Sequence, residues 1–209
     1  MSDIRHERRR QSLLDSAYDL FLEKGVFSTT ISDIVQHADV AKGTFYLYFK
    51  DKDDIFHALV DRISSRIIIQ SEQAVLVSQT PDFTERMVLF ADLIIEYFKQ
   101  YPMVLRMLDR HFSWPRLTQQ LQSSTDPTAQ ALMEDIRTSP VVQRMGAEEA
   151  WRLAFILLEM VGATCYSSII ENRPAPIDQM KPLLYGIIRT ALSPTADAAI
   201  PDEKKAGVQ

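Results

Sequence analysis

The sequence predicts an all-α fold, and three observations lead to it. Apolar residues recur at spacings of three and four through most of the chain, Pro, Gly and Asp punctuate these stretches into pieces of helical length, and no segment shows the alternation of a half-buried strand. With 209 residues, 46% hydrophobic and 24% charged, and only 6 glycines, the chain is long enough to bury a core and has no low-complexity bias.

From Glu7 to Glu23, Leu13, Leu14, Ala17, Leu20 and Phe21 form one apolar stripe, and Gly25 is the stop of this first helix. Thr29 and Thr30 offer hydroxyl N-caps to a second helix, with Asp33 in its first turn and Ile31, Ile34, Val35 and Ala38 on its apolar face. A turn at Asp39 and Val40 leads to a short third helix over residues 41–49, Ala-Lys-Gly-Thr-Phe-Tyr-Leu-Tyr-Phe, in which Phe45 and Phe49 lie four apart and face inward.

Asp51 caps a long fourth helix that opens with Lys52, Asp53 and Asp54. Its stripe of Ile55, Phe56, Leu59, Val60, Ile63 and Ile67 continues towards Val77. Thr80-Pro81-Asp82 is a break, after which Met87, Phe90, Ala91, Ile94, Ile95 and Phe98 restore helical spacing over Phe83 to Gln100. Tyr101-Pro102, Trp114-Pro115, Asp126-Pro127 and Ser139-Pro140 then delimit helical pieces of moderate length. The last two helices span about 147–171 and 177–192, separated by Asn172-Arg173-Pro174-Ala175-Pro176. From Ser193 onward too little apolar surface remains to offset the entropy of ordering, so a mobile tail is expected over 193–209.

A net charge of −5 argues against a protein that coats nucleic acid nonspecifically, so any DNA contact must be local. His6, His37, His57 and His111 are scattered, without Cys or carboxylates at metal-ligand spacing, and no metal site is expected. No Gly-rich phosphate loop, nucleophile–base arrangement or cofactor motif stands out, so neither catalysis nor a cofactor is expected. The single Cys165 sits in an apolar run and reads as a small core residue in a reducing compartment. The N-terminus carries Arg5, Arg8, Arg9 and Arg10, and no apolar run is expected to reach the roughly 18 to 20 residues that cross a bilayer. A cytoplasmic location follows as the expectation.

A short helix, a tight turn and a second short helix anchored by inward aromatics meet the requirements of a helix-turn-helix over residues 30–49, since the second helix must be held rigidly while its outer face enters the major groove. That outer face carries Lys42, Gly43, Thr44, Tyr46, Leu47 and Tyr48: a cation, hydroxyls, and a glycine that lets backbone approach backbone.

Residues 29–55, Thr-Thr-Ile-Ser-Asp-Ile-Val-Gln-His-Ala-Asp-Val-Ala-Lys-Gly-Thr-Phe-Tyr-Leu-Tyr-Phe-Lys-Asp-Lys-Asp-Asp-Ile, resemble the DNA-binding segment of TetR-family transcriptional regulators. The resemblance covers roughly the first 55 to 60 residues in motif and implies two units. One is an N-terminal helix-turn-helix domain over 1–55, and the other a helical effector-binding and dimerisation domain over 56–192.

It also implies a DNA-contact set of Thr29, Thr30, Lys42, Gly43, Thr44, Tyr46, Leu47, Tyr48 and Lys52, with Thr30, Tyr48 and Lys52 on phosphates and Tyr46 on bases. Arg8, Arg9 and Arg10 are accessory candidates for a narrow minor groove. Two positions depart from the family pattern: Asp39 stands where Gly is frequent, and Ala41 where Ser or Thr commonly caps the third helix. Asp39 tolerates left-handed geometry and is a candidate for the missing cap.

In the second domain the Met and aromatic residues suit an apolar or aromatic effector. Phe90, Ile94, Phe98, Met103, Met107, His111, Trp114, Met133, Phe155 and Glu159 are the candidate lining. Glu159 is an isolated carboxylate, with Arg106, Arg110 and His111 as charged neighbours on the preceding pieces. By the same resemblance the last two helices, with Gly162, Ala163, Gly186 and Ala191 allowing close approach, form a homodimer interface. Two-fold symmetry then implies a palindromic operator in double-stranded DNA, released on effector binding by a repressor. The competing reading is a helical small-molecule-binding protein or enzyme whose N-terminal helices merely pack.

Overall fold

A computed structural model of the chain describes residues 2–108, 119 and 122–193. Among these every regular element is helical: α1 (Ser2–Lys24), α2 (Ile31–His37), α3 (Lys42–Phe45), α4 (Lys52–Ser78), α5 (Phe83–Gln100), α6 (Pro102–Leu108), α7 (Pro127–Thr138), α8 (Pro140–Met145), α9 (Ala147–Cys165) and α10 (Ile177–Leu192). The final turns of α9 widen into a π-helical segment, Tyr166–Ile170.

Local chemistry sets most boundaries. Gly25, at φ 83°, ends α1, because a left-handed residue there costs glycine nothing. Thr30 and Asp33 form a reciprocal capping box at α2, and Asp51, Asp82, Asp126 and Ser139 each accept a backbone N–H at the start of α4, α5, α7 and α8. Asp39 takes the left-handed conformation, φ 53°, that carries the chain from α2 into α3. It does not cap α3, which begins at Ala41 with no side-chain cap.

The third helix is shorter than its sequence suggests. Only Lys42–Phe45 is α-helical, and the winding continues as tighter turns, with the amides of Leu47 and Tyr48 donating to the carbonyls of Thr44 and Phe45 at 3.2 and 3.0 Å. Six residues after Phe45, Asp51 caps α4, so the chain must leave the helix before Lys50.

The principal buried cluster runs without a break from Leu13 on α1 to Leu192 on α10. Phe45 and Phe49 are the aromatic floor of α3, 0% and 3% exposed, their ring centroids 5.7 Å apart. Truncating either to Ala removes a buried aromatic, a change that costs roughly 3 to 5 kcal/mol. α4 belongs to both ends of this core. Ile55 and Leu59 pack beside α1, Arg62 pairs with Asp15 of α1 at 2.8 Å, and Ile67 and Val75 are buried further along. α5 and α10 are stitched together by Lys181 to Asp92 at 2.6 Å, Lys99 to Asp178 at 2.7 Å and Arg189 to Glu85 at 2.7 Å.

Against expectation, one segment is long and apolar enough, by length and composition, to cross a membrane. Within residues 147–170 an 18-residue window has a mean hydropathy of 1.8, yet only 17% of that window is buried. From Leu153 to Ile170 the sole charge is Glu159, because both faces of the helix are apolar. One face packs on the bundle, and Phe155 and Ile156 lie on the other, 41% and 58% exposed. Cys165 is fully buried and burial pushes its thiol up to about 12, so it stays protonated as a core residue.

Candidate nucleic-acid interface and effector cavity

The surface formed by α3 and the turn after it gathers most of the expected contact residues. Lys42, Gly43, Tyr46 and Leu47 are exposed, Tyr46 by 54% and Leu47 by 71%, while Thr44 is half-buried. A tyrosine and a leucine left this open forgo roughly 2 kcal/mol each of burial. Tyr46 is held edge-on against Phe45, centroids 5.4 Å apart, which fixes the ring's root while its far edge stays in solvent. A Cβ added at Gly43 would meet nothing within 4 Å, so nothing inside the chain demands a glycine there.

Two positions differ from their expected roles, and a third is partly covered. Thr29 is 1% exposed, and its hydroxyl donates inward to the carbonyls of Gly25 at 2.9 Å and Leu20 at 3.3 Å, so it is a lock of the α1–α2 loop and is closed to DNA. Lys52 directs its ammonium at the carbonyls of Val26 and Thr29, at 2.9 and 3.1 Å, and more distantly at that of Phe27, 3.5 Å, so in this structure it ties down the loop ahead of α2. Tyr48 is half-buried, its ring 4.4 Å from that of His6, so the start of α1 covers part of it.

Thr30 remains exposed at the α2 N-terminus. Its amide and hydroxyl both donate to Asp33, at 2.8 Å each, and these bonds hold the Asp33 carboxyl below the usual carboxylate range. Of the accessory arginines, Arg8 and Arg9 are exposed, whereas Arg10 lies over the Phe49 ring at 5.6 Å.

Two cavities lie beyond α4. The first, about 140 Å³, is lined by α4, α5, α7, α8, α9 and α10 and is apolar apart from Ser139; Phe90, Ile94 and Met133 line it as expected. The second, about 190 Å³, adjoins it through Ile68, Ile94, Leu158 and Val161, and takes Phe98 and Glu159 from the expected set. Met103, Met107 and Phe155 line neither. Phe155 fails because α9 lines the first cavity with Ala154, Leu157, Leu158 and Val161, and a residue two positions from Leu157 faces the other way. His111 and Trp114 lie outside the described residues. Trp151, one of the aromatics suited to an effector, also lines the first cavity, whereas Met87, Leu132 and Ile136 in the first and Ser64 and Tyr166 in the second were unanticipated; the Met87, Phe90, Ala91, Ile94 spacing on α5 held the signal for Met87.

With this geometry in place, comparisons identify the N-terminal unit. Residues 13–59 match the family described as bacterial regulatory proteins, tetR family. Over 61 residues the chain is 39% identical to the HTH-type transcriptional regulator AcrR of Shigella flexneri, a match that covers 29% of this chain and 28% of that regulator. Whole-chain likeness is one of fold. A TetR-family regulator from Syntrophomonas wolfei superposes with a TM-score of 0.58 at 24% identity, covering 88% of this chain and 94% of the other. FadR from Bacillus subtilis, solved in complex with stearoyl-CoA, gives 0.56 at 16%, covering 88% and 98%.

Proposed function

The chain carries, over residues 13–59, the N-terminal domain of the tetR family of bacterial regulatory proteins, and from that premise we propose that it is a ligand-responsive transcriptional repressor that binds a palindromic operator as a homodimer. The observation that carries this reading is the outward face of α3 and its following turn. Lys42, Gly43, Thr44, Tyr46 and Leu47 stand on a base of fully packed Phe45 and Phe49, a rigid reader rather than a loop. In this reading Tyr46 contacts bases, Lys42, Thr30 and Tyr48 position the phosphate backbone, and Lys52 holds the scaffold. Residues 1–55 act as the reading unit and 56–192 as the regulatory one.

The homodimer is supported by the outer surface of α9 and α10. Phe155, Ile156, Leu183 and Ile187 are 41%, 58%, 65% and 51% exposed, large apolar side chains on α9 and α10 that a single chain leaves open. Two-fold pairing of that face sets two α3 readers on one side of the dimer, and half-sites about one helical turn, ~34 to 36 Å, or a larger helical spacing apart.

The effector enters the two cavities. Ile68 of α4 borders both, and the first turn of the same helix holds the loop ahead of α2 through Lys52. An occupant that moves Ile68 therefore biases the placement of the readers, a population shift between two dimer states. The FadR neighbour of similar fold was solved in complex with stearoyl-CoA, which is consistent with a small-molecule effector here. Mobility-shift titration of the chain on its own promoter region tests the proposal: a saturable shift at physiological salt supports it, and binding no tighter than to random duplex contradicts it.

A further inference from the structure

Three helical hydroxyls in this chain return to the backbone of their own helix. Ser78 donates to the Val75 carbonyl at 2.6 Å, Thr138 to Glu134 at 2.8 Å and Thr190 to Gly186 at 2.9 Å. This local bond is open to any helical hydroxyl with no better partner. Ser139, in the wall of the first cavity, is likewise engaged, accepting the Val142 amide as the cap of α8.

Ser64 breaks this pattern. It lies inside α4, is 6% exposed, and its buried Oγ has no hydrogen-bond partner. A buried hydroxyl is costly to leave unmade. Ser64 lines the second cavity, whose other polar side chains are Glu159 and Tyr166. The neighbouring Ser65 is equally buried and equally unpartnered, but lines neither cavity.

Building on the effector reading above, we infer that the second cavity takes the hydroxyl end of a linear apolar alcohol whose chain runs along the shared wall of Ile68, Ile94, Leu158 and Val161 to the first cavity. A hydroxyl both donates and accepts, so it satisfies the orphaned Ser64 Oγ and can also donate to the Glu159 carboxylate. A carboxylate head cannot donate, and entering the cavity it would lose water without gaining a cation, since no Lys, Arg or His lines the cavity among the described residues and Glu159 stands at its exposed edge. The first cavity asks only for apolar chain, since its one serine is already committed.

Isothermal titration calorimetry of the full chain with 1-decanol and with decanoate, on the wild type and on Ser64→Ala and Ser65→Ala, tests this. Expected are tighter binding of decanol than of decanoate by about tenfold, a three- to tenfold loss of decanol affinity in Ser64→Ala, and no change in Ser65→Ala. Decanoate binding as tightly as decanol, or the two serine variants behaving alike, overturns the head-group assignment while leaving the effector reading standing. Failure of both probes to bind the wild type overturns both.

Discussion

The ammonium of Lys52 donates to the Val26 carbonyl oxygen at 2.9 Å, joining the first turn of α4 to the loop that precedes α2. Thr29 closes the same loop from within through Gly25. Replacing Lys52 by Ala should therefore act on the scaffold. Stability falls by roughly 1 to 2 kcal/mol, the size of a charge-assisted bond to partly exposed carbonyls, and DNA affinity falls with it. The slope of log affinity against log salt should stay unchanged, whereas loss of a phosphate contact reduces it by about 0.9. Urea denaturation and anisotropy titrations at several salt concentrations separate the two.

Gly43 should separate in the opposite sense. Because an added Cβ meets nothing inside the chain, and because alanine favours helix over glycine by about 1 kcal/mol, Gly43→Ala should leave stability unchanged or slightly raised. Specific DNA affinity should fall by about tenfold, since the methyl sits where backbone approaches backbone. Thermal melts paired with mobility shifts check both halves.

Glu72 predicts a pH dependence. It is 1% exposed, and burial, with Asp135 adding and Arg86 opposing, pushes its carboxyl up from 4.5 to about 7. A raised acid holds its proton more tightly in the folded chain. The destabilisation is thus absent below about pH 4.5, grows between there and pH 7, and is complete above, reaching about 3 kcal/mol. Glu72→Gln removes it, so its stability advantage over wild type should be larger at pH 8 than at pH 5 by roughly 2 to 3 kcal/mol in urea denaturation.

Ile156→Glu combined with Leu183→Glu places charge on the outer face of α9 and α10, where both residues are more than half exposed in the single chain. Sedimentation velocity should show monomers in place of dimers, with the helical circular dichroism retained, because substitutions at open positions seldom cost a fold more than about 0.5 kcal/mol.

What the sequence disclosed follows the physics of each position. The bounds of α5 and α10 were readable because Asp82 and Pro176 mark their starts, and on α5 a single apolar stripe defines the buried face. Asp39 was readable because few residues accept φ 53°. Thr29 and Thr30 present the same chemistry in adjacent positions, and only the three-residue step from Thr30 to Asp33 distinguishes the exposed cap from the buried lock. The lining of the cavities was half legible: α5 carries one apolar stripe, whereas α9 is apolar on both faces and gives no phase by which to tell Phe155 from Leu157. Ser64 and Glu72 are small interruptions of a long apolar helix, and burial without a partner is a property of three dimensions alone.

The most direct test is selection of bound duplexes from a random pool by the purified full chain, repeated with Tyr46→Ala. The account predicts enrichment of an inverted repeat with half-sites separated by about one turn, roughly 10 base pairs, or a larger helical spacing. For Tyr46→Ala it predicts a loss of ~1 to 3 kcal/mol on the enriched sequence, with little change on random DNA. Recovery of no common sequence, or equal losses on enriched and random duplexes, would contradict it.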